Sequence, residues 1–98
     1  MKGSKNKKIA AITGSGRGNG KAIAIELGRQ GFSLFLSDIQ TELLESTITD
    51  ISNRGIEVVG GIFDSSDIKD ADKFFQQVIT SYGKLDVFVN NAGASRPQ

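Results

Sequence analysis

The sequence predicts an α/β fold built on a parallel sheet with helices on both faces. Short apolar runs alternate with segments of helical periodicity along the chain, the pattern of parallel strands joined by crossover helices. A glycine closes each helical segment, at Gly31, Gly55 and Gly83. The first apolar run empties into a glycine-rich turn, Thr13-Gly14-Ser15-Gly16-Arg17-Gly18-Asn19-Gly20, that opens directly onto a helix-like stretch.

Taken in order, the first strand is about Lys8 to Thr13, and its helix runs from about Gly18 to Gln30, where Gly31 stops it. The second strand is Phe32 to Ser37. The next helix, about Thr41 to Arg54, carries Leu44, Ile48 and Ile51 on one face at helical spacing and ends at Gly55. The third strand is Ile56 to Phe63. Ser66 or Asp67 then suits an N-cap, and Ile68, Ala71, Phe75, Val78 and Tyr82 form the core-facing stripe of a helix ended by Gly83. The fourth strand, Leu85 to Val89, leads into Asn90-Asn91-Ala92-Gly93. Right-handed crossovers order these strands 3-2-1-4, a partial Rossmann-type sheet of four strands and three helices. The ligand crevice falls between strands 1 and 4, so the glycine turn and Asn90 to Gly93 should be neighbours.

Composition narrows the functional classes. At 98 residues and 38% apolar content there is room for one small domain, residues 1–98, behind a basic leader at 1–7. Twelve Lys and Arg against eleven Asp and Glu leave a charge of +1, which favours neither nucleic acid nor an acidic partner. No cysteine and no histidine are present, so hydrolytic triads and zinc sites are practically excluded. The apolar stretch after the leader, Ile9 to Ile12, is too short for a signal peptide, and nothing approaches the ~20 apolar residues of a membrane span. A cytoplasmic protein with a small-molecule partner is the expectation.

The spacing of the glycines separates three phosphate-binding patterns. The P-loop form, anchored on Gly20-Lys21, would need glycine at Ser15 and a hydroxyl at Ala22. The form G-x-G-x-x-G starting at Gly14 needs glycine at Asn19, and starting at Gly16 it meets Lys21. What fits is T-G-x-x-x-G-x-G, read through Thr13, Gly14, Gly18 and Gly20. Unpaired backbone N–H groups at a helix start carry partial positive charge, and glycine lets a pyrophosphate reach them. Asp38 follows Gly14 by 24 residues, with Ile39 beside it, where a dinucleotide site wants an acid for ribose hydroxyls. Together they imply a nicotinamide dinucleotide.

This wider glycine spacing, with Asn90-Asn91-Ala92-Gly93 after the fourth strand and Asp64 closing the third, resembles the short-chain dehydrogenase/reductase family over about Lys8 to Gly93. The resemblance implies that Asp64 meets the adenine amino group and the Ser65 amide another ring nitrogen. It makes Asn90 a tie between strands at the sheet centre, and sets the Ala92-Gly93 backbone against the nicotinamide-side ribose. Two positions depart from the family: Ser65 stands where an aliphatic residue is common, and Asn19 where Ile or Leu is usual. Asp38 favours NAD by repelling a 2′-phosphate, whereas Arg17 is where NADP-preferring relatives often place a base. NAD is the favoured cofactor, with NADP possible.

The family's reaction, the NAD(P)-dependent interconversion of an alcohol and a ketone or aldehyde, needs a serine and a Tyr-x-x-x-Lys pair. The single tyrosine, Tyr82, is followed at the fourth place by Asp86 and belongs to a core-facing stripe. No catalytic residue is therefore assigned. The leading expectation is the cofactor half of an oxidoreductase, truncated after the fourth strand, inactive alone and homo-oligomeric at full length. Locally it looks somewhat like acetoin or diacetyl reductases and sugar or polyol dehydrogenases. The alternative is a complete, non-catalytic nucleotide-binding or interaction module, against which the open apolar edge at Val87-Phe88-Val89 speaks.

Overall fold

The apolar runs become strands of one sheet and the periodic segments its covering helices. The computed structural model describes residues 7–16, 18–64 and 67–91. The elements are β1 (Ile9–Thr13), α1 (Gly18–Arg29), β2 (Ser33–Asp38), α2 (Thr41–Asn53), β3 (Val58–Ile62), α3 (Ile68–Tyr82) and β4 (Val87–Asn90). All pairings are parallel, in the order β3-β2-β1-β4. Thr13 is level with Ser37 on one side and Asn90 on the other, and Asp38 is level with Ile62. The C-terminal ends of the four strands therefore lie along one edge of the sheet.

Alternation along the central strand builds a core on each face. Ala10 and Ile12 join Leu34 and Leu36 beneath Ala24 of α1 and Leu44 and Ile51 of α2. On the opposite face Ile9, Ala11 and Phe35 pack against Phe74 and Val78 of α3. Every residue of β1 is buried, as expected of a strand paired on both sides and covered on both faces. Asp86 fastens the start of β4 to the start of β1: its amide donates to the Ile9 carbonyl at 2.9 Å and its Oδ2 accepts from the Ile9 amide at 2.7 Å. That bond, reinforced by Lys84, holds the Asp86 carboxyl below its ordinary value.

Strand boundaries differ from the sequence reading by one or two residues. β3 pairs only with β2 and shortens to Val58–Ile62, although the Glu57 carbonyl still accepts from the Leu34 amide at 2.9 Å. Ladder bonding moves β2 and β4 toward the C-terminus, so Asp38 and Asn90 belong to their strands rather than follow them. Of the two proposed caps for α3, Asp67 is the one observed, with its side chain accepting from the Lys69 amide at 2.9 Å.

The stripe of α3 also needs correction. Ile68, at the first helical position, is 82% exposed and contributes nothing to the core, and Phe75 is 37% exposed. Phe74 takes the buried place because its ring meets Phe35 at 5.4 Å and Phe63 at 5.8 Å, edge to face. Tyr82 does lie on the core-facing side, donating its hydroxyl to the Leu34 carbonyl at 3.0 Å.

Candidate functional site

The turn between β1 and α1 is held from three directions. Ser15 is fully buried, with its amide donating to the Ser37 carbonyl at 3.0 Å and its Oγ lying 3.1 Å from that oxygen and 3.2 Å from the Ile12 carbonyl. The Gly16 amide donates to Asp38 Oδ2 at 2.8 Å, and the Gly16 carbonyl accepts from Thr47 Oγ1 of α2 at 2.7 Å. From the β4 side, Asn91 Nδ2 donates to the Gly14 carbonyl at 3.1 Å, and Thr13 Oγ1 donates to Asn90 Oδ1 at 3.1 Å. The last contact makes Asn90 a tie between β1 and β4.

Glycine is required here for two separate reasons. Gly14 and Gly18 have φ of 62° and 61°, the left-handed region where a Cβ is costly. Gly20 is instead required by space: a Cβ there would collide with the Gly14 carbonyl oxygen and come within 2.8 Å of Asn91 Nδ2. The first turn of α1 thus sits against the exit of β1. Its leading N–H groups lack intrahelical partners by construction and form a small positive cradle.

Asp38 closes β2 beside this cradle. Oδ2 is taken by Gly16 and Oδ1 accepts from the Gln40 amide at 3.1 Å, which leaves further lone pairs on a carboxylate able to accept about four hydrogen bonds. The adjacent Ile39 is 63% exposed. Asp64, just after β3, is exposed on the same edge of the sheet, with its amide donating to Asp70 Oδ2 at 2.9 Å. Asn19 is exposed on the first turn of α1. The expected site residues Arg17, Ser65, Ala92 and Gly93 lie outside the described residues. Of the expected site residues, Thr13 is bonded to Asn90, Gly14 to Asn91 and Gly16 to Asp38, Ser15 is bonded to Ser37 beside Asp38, and Gly20 packs against Gly14 and Asn91.

Tyr82 is placed away from this edge and its environment is wrong for an acid/base. Burial, with the Glu57 carboxylate adding to it, pushes the phenol above its ordinary value, whereas a proton-transferring phenol must be brought toward neutrality. Among the described residues no group of three His, Cys, Asp or Glu could hold a metal ion. No described helix is long and apolar enough to cross a membrane.

Sequence reasoning passed over Thr47 and the role of the Asn91 side chain. A signal for Thr47 existed: it is a hydroxyl residue on the face of α2 that otherwise buries Leu44 and Ile51. Asn91 is expected near the turn, but strand order alone does not say that its side chain bonds the Gly14 carbonyl.

A family model described as short chain dehydrogenase matches residues 8–98. Among curated relatives, a diacetyl reductase, (S)-acetoin forming, from Staphylococcus epidermidis is 42% identical over 86 residues, covering 88% of this chain and 34% of the relative. Among solved structures, a short-chain dehydrogenase/reductase from Burkholderia phymatum in complex with NAD superposes with a TM-score of 0.82 at 29% identity, covering 84% of this chain and 29% of that one. An alcohol dehydrogenase from the archaeon Thermococcus sibiricus, complexed with 5-hydroxy-NADP, gives 0.79 at 33% identity, covering 85% and 36%. The chain spans about a third of the length of the curated relatives it matches.

Proposed function

The chain belongs to the short-chain dehydrogenase family, and from that premise we propose that it is the dinucleotide-binding part of an oxidoreductase interconverting an alcohol and a ketone or aldehyde. The carrying observation is the turn itself: Gly14 to Gly20 opens onto α1 with no room for a Cβ at Gly20, and Asp38 stands at the same sheet edge. The helix start would receive the pyrophosphate. Asp38 would accept from the adenosine ribose hydroxyls, and Asp64 with Ser65 would meet the adenine. Ala92 and Gly93 would border the nicotinamide-side ribose.

When bound, the nicotinamide supplies or accepts the hydride. This chain binds and orients it. The substrate-side acid/base would be a Tyr-x-x-x-Lys pair, which these 98 residues do not contain, so by themselves they should be inactive. The likeness to a diacetyl reductase supports a lean toward acetoin or diacetyl substrates for a full-length form, whereas sugar or polyol substrates rest on the family resemblance alone. The setting is cytoplasmic, without nucleic-acid or membrane partners, and a full-length form would be a homo-oligomer.

NAD is the preferred cofactor, because a 2′-phosphate would have to approach the Asp38 carboxylate. Calorimetric titration with NAD and NADP tests this. Hydrogen bonds to a charged group are worth about 1.5–3 kcal/mol, so Asp38→Ala should weaken NAD by about one to two orders of magnitude and narrow the gap to NADP. Tighter binding of NADP by the unaltered protein would reverse the preference. Binding of neither would overturn the reading.

A further inference from the structure

Thr47 has a bonding pattern that packing does not explain, and its meaning rests on the dinucleotide reading above. The side chain is 1% exposed in the middle of α2. A threonine inside a helix commonly returns its hydroxyl to a carbonyl of the preceding turn. Here Oγ1 instead crosses to the Gly16 carbonyl, 31 residues earlier, at 2.7 Å. Between Leu44 and Ile51 a valine would fill the same space without a polar atom to satisfy.

We infer that Thr47 is a positioning residue for the pyrophosphate turn. A turn receives an anion only if its N–H groups face the ligand and its carbonyl oxygens, which are partially negative, are drawn elsewhere. Side chains from outside the turn hold two of its carbonyls: Asn91 takes Gly14 and Thr47 takes Gly16. Asp38 holds the amide of the same Gly16. Both polar groups of the residue two places before α1 are thereby fixed from β2 and α2. Without the hydroxyl, the Gly16 carbonyl is free to swing toward the bound phosphates.

The test measures NAD and adenosine binding to the protein and to Thr47→Val and Thr47→Ser, each well below its melting temperature. Thr47→Val should bind NAD about tenfold more weakly, equivalent to about 1.4 kcal/mol. Adenosine, which has no pyrophosphate, should bind all three alike, and Thr47→Ser, which keeps the donor, should restore NAD binding to within about threefold. Thr47→Ala stands in if Thr47→Val does not fold. Equal NAD affinity in the presence and absence of the hydroxyl, or a matching loss for adenosine, overturns the positioning role while leaving the dinucleotide reading intact. Failure of the unaltered protein to bind NAD removes the reading beneath it, and the inference with it.

Discussion

Replacing Gly20 by alanine tests whether the turn is built by close contact rather than by glycine's flexibility. The added methyl meets the Gly14 carbonyl oxygen, which is backbone and cannot rotate away, and lies 2.8 Å from both Asn91 Nδ2 and the Gly14 carbonyl carbon. Overpacking of this kind costs about 1–3 kcal/mol. The bond from Asn91 to Gly14 must lengthen or break, at about 0.5–1.5 kcal/mol. Against these stands the gain of alanine over glycine inside a helix, about 1 kcal/mol. The net loss is about 0.5–3.5 kcal/mol, about 2 kcal/mol at mid-range. A domain of this size has about 5–15 kcal/mol in all, so the midpoint in urea should fall clearly with an unchanged slope. Thermal unfolding followed by circular dichroism should move down by about 8–16 °C at that mid-range loss, taking 4–8 °C per kcal/mol. Gly18→Ala is the comparison, since a Cβ there meets nothing within 4 Å and suffers only the strain of φ at 61°. It should cost about 1–2 kcal/mol. A Gly20→Ala protein that unfolds within about 0.5 kcal/mol of the parent would show that α1 does not sit against the exit of β1 as described.

Two further outcomes are expected. Phe74→Ala should destabilise by about 3–5 kcal/mol, as loss of a buried ring does, whereas Phe75→Ala, at a site 37% exposed, should cost only about 1–2 kcal/mol; chemical denaturation of the pair decides, and the opposite ranking would restore the stripe read from the sequence. Tyr82 is the only tyrosine, so near-ultraviolet tyrosinate absorbance reports on it alone. Its folded pKa is raised above the unfolded value, so its contribution to stability is complete below about pH 10 and is lost as pH rises through the raised value. Tyrosinate should therefore appear together with unfolding, and ionisation near pH 10 in a protein with native circular dichroism would contradict the buried bond to Leu34.

The strand order and the meeting of the glycine turn with Asn90-Asn91 were legible because they follow from period and handedness. Periodicity cannot choose between Phe74 and Phe75, since either lies at helical spacing from Ala71 and Val78. The choice is made by Phe35 and Phe63, which arrive from β2 and the end of β3. The same limit hides the second task of Asp38. An acid at that place reads as a ribose partner, yet one of its oxygens is already committed to the Gly16 amide. Nothing local to Asp38 announces a partner 22 residues before it.

These long-range ties change what the glycine motif means physically. Ser37, Asp38 and Thr47 hold the turn from the β2 and α2 side, while Asn90 and Asn91 hold Thr13 and Gly14, at the exit of β1, from the β4 side. Glycine makes the required backbone path accessible, and side chains from later in the sequence select it from the many paths glycine allows. The preorganisation of the cradle is therefore a property of the closed sheet. Asp86 contributes to it without touching the turn, because its paired bonds to Ile9 dock β4 and so bring Asn90 and Asn91 within reach of Thr13 and Gly14. Changes that loosen β4 should weaken an anion at the turn even though the glycines are untouched, whereas changes on the exposed face of α1 should not.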